Sequence, residues 1–240
     1  MVIALFHAVE FEADTVIKRL RHPVRVSERF GASAVCGGLG HATAVCVSTG
    51  VGKVNAAIAS SLALQKYRPD MVISMGIGGA YPNSGLVAGD IAIAQCEIYG
   101  DEGVMLEDNF LTPEAMGIPF YKKGTNTYYN TFPLDAELTR QLYDTVSQMN
   151  RTAQAGAFIT VSTCTGTRKR ADELTRRYNG ICENMEGAAI AHASTMFGTP
   201  AVEIRGISNI AAERDKDRWE TTKASQIAQD AVIMFIKSLE

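Results

Sequence analysis

The segment from Glu183 to Asn209 constrains the fold of this chain more than any other stretch of the sequence. It reads ENMEGAAIAH, then ASTMFGTP, then AVEIRGISN. From Met185 to Phe197 it carries almost no charge and is rich in glycine and alanine, which suits a helix that packs closely on a sheet. Gly198 and Pro200 end that helix, and the run from Ala201 to Ile204 predicts a buried strand. A helix that passes through a tight turn into a buried strand is typical of an α/β fold.

Polar side chains lie at the ends of these predicted elements. Glu186 stands near the start of the helix, where the positive end of the helix dipole favours an ionised carboxylate. Ser208 and Asn209 follow the strand, and open α/β sheets place ligand contacts at the ends of their strands. Each residue also has a plain structural interpretation, since Glu186 suits a helix-capping acid and Asn209 suits an ordinary turn.

The rest of the chain predicts further elements of the same kind. Strands are expected at Val2–Phe6, Asp70–Met75, Val87–Tyr99 and Ala155–Val161, with a strand meander over 24–48, and helices at Val54–Tyr67, Leu134–Met149, Arg168–Arg177 and Ser225–Leu239. The glycines of SMGIGGA, Gly78 among them, expose backbone amides at a strand end, ready to meet a sugar or an anion. The irregular, aromatic-rich segment 100–131 is either a working loop such as a lid or an interface.

Composition predicts one domain, residues 1–240, without nucleic-acid or membrane partners. The net charge is −3, no apolar run reaches membrane-spanning length, and the N-terminus lacks the basic region of a signal peptide. The five cysteines lack CxxC spacing, as expected for buried thiols in a reducing compartment. We therefore expect a cytoplasmic protein. The four histidines lack ligand spacing, so no metal is expected.

Seven short motifs give the chain a resemblance to a known superfamily. AVEFEA, TGVGKVNAA, SMGIGGA, VAGDIAIA, AGAFIT, NMEGAAIAH and EIRGISN occur in the order and spacing of the purine nucleoside phosphorylase and nucleosidase superfamily. GIGGAYPNSGL, EIYGDEGV and GISNIAAERDKDRW are most similar to its futalosine hydrolases, which act in menaquinone biosynthesis. The resemblance implies a three-layer α/β/α sandwich with a mixed, twisted central sheet. It also implies a small nucleoside substrate, no cofactor, and a homodimer or larger homo-oligomer.

The resemblance assigns roles to two carboxylates. Cleavage of an N-glycosidic bond passes through an oxocarbenium-like sugar, so it requires a base for water, negative charge near the ribose, and stabilisation of the departing purine. Glu12 matches the residue that activates water, with Glu10 as the alternative if the motif slips by two positions. Glu186 matches the carboxylate that holds the ribose hydroxyls.

Further residues match those that contact the substrate. Met185 would pack on the sugar, Phe158 would stack on the base, and the backbone of Ile159 would bind the purine edge. Met185 and Phe158 also suit a plain core position. Gly78 and Ser208 complete the expected binding residues.

Asn209 is an informative departure from part of the superfamily. Nucleosidases that act on methylthioadenosine and S-adenosylhomocysteine carry aspartate there, whereas an asparagine amide can accept from N7–H and donate to a 6-oxo group. Asn209 therefore suits hypoxanthine, the base of futalosine and inosine. A methylthioadenosine nucleosidase, a phosphate-dependent phosphorylase and a non-catalytic nucleoside-binding protein stay open as alternatives.

The sequence also favours water over phosphate as the nucleophile. The residues after the first strand and before the glycines of SMGIGGA include no arginine to hold the anion, and Glu12 would repel it. The benzoate of futalosine requires a cation or several donors. Arg214, Lys216 and Arg218 are candidates, although such charge runs are usually solvated.

Overall fold

A computed structural model describes residues 1–27, 33–212 and 219–239. The strands are β1 (Val2–His7), β2 (Arg21–Ser27), β3 (Ser33–Leu39), β4 (Ala42–Ser48), β5 (Met71–Ala80), β6 (Ile91–Tyr99), β7 (Val104–Met105), β8 (Phe110–Leu111), β9 (Tyr121–Lys123), β10 (Asn126–Tyr128), β11 (Thr131–Pro133), β12 (Ala153–Thr160), β13 (Gly180–Asn184) and β14 (Ala201–Ile210). The helices are α1 (Asp14–Arg19), α2 (Lys53–Tyr67), α3 (Ala136–Val146), α4 (Arg168–Tyr178), α5 (Gly187–Phe197) and α6 (Thr221–Ser238), and a 3-10 turn spans Glu10–Glu12.

The main sheet is mixed, in the order β11-β6-β12-β13-β5-β1-β4-β3-β2. Strand β1 is parallel to both of its neighbours, β4 and β5. Strand β14 pairs in parallel with β5 and antiparallel with β6, so that β6, β12, β13, β5 and β14 close into a ring. The predicted mixed central sheet is confirmed, while the closure of five strands into a ring is a feature that the sequence did not predict.

Helices cover both faces of the sheet. Helices α2 and α5 pack together on one face through small residues such as Ala56 and Ala189. Helices α1, α3 and α6 cover the other face, where Val16, Leu142 and Val232 enter the core. The predicted three-layer α/β/α sandwich is therefore confirmed.

Two strands are longer than the sequence predicted. Strand β5 runs through the glycines of SMGIGGA to Ala80, so these residues belong to the strand rather than to a turn after it. Strand β14 continues to Ile210, so Ser208 and Asn209 lie inside it. The pairing of β14 with β5 shifts register between Ile207 and Asn209, and such a bulge re-aims the side chains beside it.

The segment 100–131 forms short strands and packs against helix α5 of the same chain. Short strands pair β7 with β8 and β9 with β10, and β11 extends the main sheet beside β6. Tyr121 of this segment lies beside the ring of His192 of α5, which also stacks on Phe132 of β11 with centroids 4.1 Å apart. Phe120 packs edge-on against Tyr99 at 5.6 Å. His192 thus has the structural role that its place in the packed helix indicates.

Candidate active site

A cleft of about 240 Å³ opens where β1, β5, β13 and β14 end. The structure brings six residues of the predicted site together in its lining: Glu12, Gly78, Met185, Glu186, Ser208 and Asn209. They come from elements far apart in the sequence, and the shared sheet edge is what makes them neighbours.

Glu12 is held rigidly at the cleft by backbone donors. Its Oε2 accepts hydrogen bonds from the N–H groups of Ala8 and Val9 at 2.9 and 3.2 Å, and its Oε1 accepts from Ile77 N at 2.9 Å. Three of the roughly four lone-pair sites of a carboxylate are therefore used, which leaves one on Oε1 for a ligand. Glu10, the alternative base, is exposed at the other end of the same turn.

Glu186 stands at the N-terminal cap of α5, the position that its sequence context indicated. Its Oε1 accepts from Gly52 N at 2.8 Å, and its Oε2 lies 3.8 Å from Arg205 NH1. Burial raises the pKa of the Glu186 carboxyl, while Arg205 and the Gly52 amide oppose that rise. The carboxylate is therefore a buried group whose charge is supported by a neighbouring cation.

Arg205 is a cleft residue that sequence reasoning missed. Its guanidinium binds Glu203 through Nε at 2.8 Å and NH2 at 2.7 Å. A Cβ at Gly76 would fall 2.7 Å from Arg205 NH1 and 3.0 Å from Glu12 Cδ, so Gly76 allows the two groups to approach each other. Burial alone would lower the pKa of Arg205, but the charges of Glu203, Glu186 and Glu12 outweigh it and raise that pKa. The sequence signal that could have identified Arg205 was the pair of charged residues, Glu203 and Arg205, inside an otherwise apolar strand.

A pair of buried carboxylates lies beneath the cleft. Glu97 is fully buried and accepts from Asn184 Nδ2 and Thr160 Oγ1, each at 2.6 Å. A Cβ at Gly187 would collide with the carboxylate oxygens of both Glu97 and Glu203, which places the two acids side by side. Burial, and then the charge of Glu203, raise the pKa of Glu97 well above its ordinary value. The Glu97 carboxyl therefore favours its protonated form more than an exposed glutamate does.

The substitution Glu97→Gln is expected to stabilise the protein increasingly as pH rises above about 4.5, the ordinary pKa of the group. Because the folded state holds the proton that the unfolded state releases, the wild-type chain loses stability with rising pH, and glutamine removes that loss. We expect a gain of about 1–2 kcal/mol in the free energy of unfolding at pH 8. Urea unfolding at several pH values measures it, with the exposed Glu114→Gln as control. A variant less stable than wild type at pH 8 would contradict the assignment.

Asn209 presents a defined amide to the cleft. Ser208 Oγ donates to Asn209 Oδ1 at 2.7 Å, and Asn209 Nδ2 donates to Ile210 O at 3.1 Å. An amide oxygen has two lone pairs and an amide nitrogen has two hydrogens, so one acceptor and one donor position stay available. Ser208 also lies 3.2 Å from the carbonyl oxygen of Gly78, which ties β14 to β5 at this point.

Phe158 and Ile159 are the two predicted site residues that do not line the cleft, and the contact proposed for the Ile159 backbone stays a prediction. Phe158 is fully buried and packs with residues from all five strands of the closed ring, Cys182 and Ile207 among them. The Ile159 side chain is wedged between Gly100 and Gly180. Cys164 and Thr165, which follow β12, line the cleft instead. Cys164 Sγ contacts Met185 Sδ at 3.3 Å.

Some predicted residues lie outside the part of the chain that the structure describes. These are Arg214, Lys216 and Arg218, the candidates for binding a benzoate. Within the described ranges, no group of three or more His, Cys, Asp or Glu side chains is placed to hold a metal ion. Over the same ranges, every helix is too short or too polar to cross a bilayer.

Comparisons with known proteins identify the family of the chain. The sequence model of the phosphorylase superfamily matches residues 2–239. A futalosine hydrolase from Thermus thermophilus is 34% identical over 188 residues, covering 78% of this chain and 79% of that protein. A 5'-methylthioadenosine/S-adenosylhomocysteine nucleosidase from Geobacillus thermodenitrificans is 29% identical, covering 92% and 89%. The crystal structure of the corresponding nucleosidase from Neisseria meningitidis, in complex with methylthio-immucillin-A, matches with a TM-score of 0.86 at 24% identity over 99% of both chains.

The fold and the matched relatives together define an enzyme that hydrolyses N-glycosyl bonds of small molecules. The chain belongs to the phosphorylase superfamily.

Proposed function

We propose that this enzyme hydrolyses futalosine to hypoxanthine and dehypoxanthine futalosine, a step of menaquinone biosynthesis. The observation that carries the proposal is the amide of Asn209 in the same cleft as Glu12 and Glu186. Its available acceptor and donor complement N7–H and the 6-oxo group of hypoxanthine. The 34% identity to a futalosine hydrolase supports the same substrate.

In the proposed reaction, a water oxygen bonds to the anomeric carbon of the ribose while the bond from that carbon to purine N9 breaks. Glu12 takes a proton from the water through the lone pair that is available on Oε1. The bonding electrons leave with the base, which takes a proton from solvent at N7 and is held there by Asn209, and Glu12 then releases to solvent the proton that it took from the water. Glu186 accepts from the ribose hydroxyls and stabilises the positive charge that develops on the sugar.

The charge of the cleft supports water rather than phosphate as the nucleophile. Among the described residues that line the cleft, Arg205 is the one arginine or lysine. Its guanidinium is already bonded to Glu203 and faces Glu186 and Glu12. A phosphate dianion placed there would meet three carboxylates around one cation, which disfavours its binding.

A product assay tests the proposal. The purified protein is incubated in turn with futalosine, inosine, methylthioadenosine and S-adenosylhomocysteine, with and without phosphate, and the released base is measured by chromatography. We expect hypoxanthine from futalosine without phosphate. Adenine from methylthioadenosine would instead identify the methylthioadenosine/S-adenosylhomocysteine nucleosidase activity of the 29% identical relative. Strict dependence on phosphate would identify a phosphorylase, and tight binding without base release would indicate a non-catalytic protein.

We further propose that the enzyme acts as a homodimer or a larger homo-oligomer. Helix α2 exposes Val54, Ile58 and Leu62 along one face, at 72%, 50% and 38% of their surfaces. Val51, which lines the cleft, continues this apolar stripe. Exposed apolar stripes of this kind are typical of subunit interfaces. Light scattering of the purified protein measures the mass, and a monomer at micromolar concentration would contradict the proposal.

A further inference from the structure

Glu183 is a cleft residue to which the proposed reaction assigns no role. Its side chain is 7% exposed and lines the same cleft as Asn209. Its Oε1 accepts from Thr165 N at 2.9 Å, and its Oε2 accepts from Tyr81 OH at 3.0 Å and from Thr165 Oγ1. Burial raises the pKa of Glu183, and the hydrogen bonds from Thr165 and Tyr81 oppose that rise. Burying a carboxylate costs free energy, and buried carboxylates with shifted pKa values are concentrated at functional sites.

The sheet register places Glu183 opposite Asn209. Gly79 of β5 is the lateral partner of Glu183 on one side and of Asn209 on the other. Two strand spacings, about 10 Å, therefore separate the backbones of Glu183 and Asn209. Residues in lateral register project to the same face of a sheet. Between them Gly79 has no side chain, and a Cβ there would fall 3.2 Å from Ala211 Cβ and 3.4 Å from Asn209 Nδ2. Gly79 lines the same cleft as Glu183 and Asn209, so the two side chains border one cavity from the two strands that neighbour β5.

The hydrogen-bonding capacity of Glu183 is not exhausted. A carboxylate offers about four lone-pair sites, of which Thr165 and Tyr81 use three. The remaining site is on Oε1, and it can only accept. The Thr165 N–H, which could otherwise donate to a ring nitrogen, is occupied by that same Oε1. This end of the cleft therefore presents a hydrogen-bond acceptor, and no donor from Glu183 or Thr165 N, to a bound ligand.

We propose that Glu183 accepts the N1–H of a 6-oxopurine and thereby completes, with Asn209, the recognition of hypoxanthine. A 6-oxopurine carries hydrogen on N1, whereas adenine has an unprotonated N1 whose lone pair would face the carboxylate. Asn209 binds the O6 and N7 edge, and Glu183 binds N1–H on the edge next to O6. A 6-aminopurine is then rejected at two contacts, those with Asn209 and Glu183, rather than at one. This inference rests on the proposed 6-oxopurine substrate.

The competing explanation is that Glu183 only holds the segment at Thr165 in place. Removing such a support would weaken the binding of every base by the same factor. Removing a partner of N1–H would instead change the ratio of affinities between bases that differ at N1. Affinity ratios therefore separate the two explanations, and they do so without any requirement for catalysis.

The test is calorimetric titration of the full-length protein with hypoxanthine, 1-methylhypoxanthine and adenine. Wild type is expected to bind hypoxanthine about 10- to 100-fold more tightly than 1-methylhypoxanthine, which lacks the hydrogen and carries a methyl group towards Glu183. In Glu183→Ala, which removes the acceptor and makes room for the methyl group, that ratio is expected to fall below about 3-fold. Tyr81→Phe removes one donor but keeps the carboxylate, so it should retain the wild-type ratio.

A second variant covers the case in which Glu183→Ala does not fold. Glu183→Gln keeps the shape and removes the charge, so the preference for hypoxanthine over adenine should fall by about 10-fold. Affinity ratios that stay at the wild-type value in a folded Glu183 variant would overturn the inference. Wild type that shows these ratios but releases no base from futalosine would contradict the proposed function and leave the role of Glu183 standing.

Discussion

Replacing Glu12 with glutamine is expected to lower kcat for futalosine hydrolysis by about 1000-fold or more. A glutamine amide cannot take the proton of the attacking water, so the general-base contribution is lost. The three backbone N–H groups that now reach Glu12 hold its side chain in place. One or two of them would face the glutamine NH2 group, so a loss of about 1–3 kcal/mol in the free energy of unfolding should accompany the change.

A matched control lies two residues away. Glu10 is exposed on the same turn, and Glu10→Gln is expected to keep kcat within about 3-fold of wild type. Single-turnover measurement of base release, together with calorimetric binding of hypoxanthine, separates lost chemistry from lost folding. If Glu10→Gln were the inactive variant and Glu12→Gln the active one, the assignment of the base would have to move to Glu10.

The substitution Asn209→Asp is expected to reverse the preference for the base. A carboxylate offers no donor to O6 and repels it, so kcat/KM for futalosine should fall by about 100-fold or more. The same carboxylate can accept from a 6-amino group, so methylthioadenosine should become a better substrate relative to futalosine. The ratio of the two kcat/KM values, measured for wild type and variant under the same conditions, gives the size of the switch.

Ser208→Ala is the control for this change. It keeps the amide of Asn209 but removes the hydrogen bond of 2.7 Å that fixes its orientation. We expect a loss of about 10-fold or less, with the preference for futalosine retained. An Asn209→Asp variant that still preferred futalosine would show that other groups, Glu183 among them, decide the specificity.

Local sequence was sufficient to place two carboxylates of the cleft at the ends of elements, and the family resemblance assigned their roles. Glu12 follows a continuous apolar strand, and Glu186 precedes a helix of small residues, so both stand at the ends of elements. Residues that follow parallel strands such as β1 and β5 meet at one edge of the sheet, whereas β13 runs antiparallel to β5, so the tertiary structure decides that Glu186 lies near Glu12. The mixed sheet and the three layers follow from the same alternation of strands and helices.

The placement of Phe158 could not be predicted because its strand, β12, is buried on both faces. Nothing in AGAFITV tells which of its apolar side chains faces inward, because both faces of β12 are apolar. Closure of the five-stranded ring turns Phe158 into its interior, where Ala92, Ala94 and Ile207 surround it. Thr165 and Cys164, which lie beyond the end of that strand, line the cleft instead.

The sequence by itself determined the class of fold, the helix and strand types, and the positions of Glu12 and Glu186 at the ends of elements. Periodicity and capping are local properties, and they can be read over a few residues. Only the tertiary structure decided that Arg205 joins the carboxylates and that Glu183 lies across Gly79 from Asn209. Those contacts depend on the register between strands that are about a hundred residues apart in the chain, and register is set by packing of the whole sheet rather than by any local pattern.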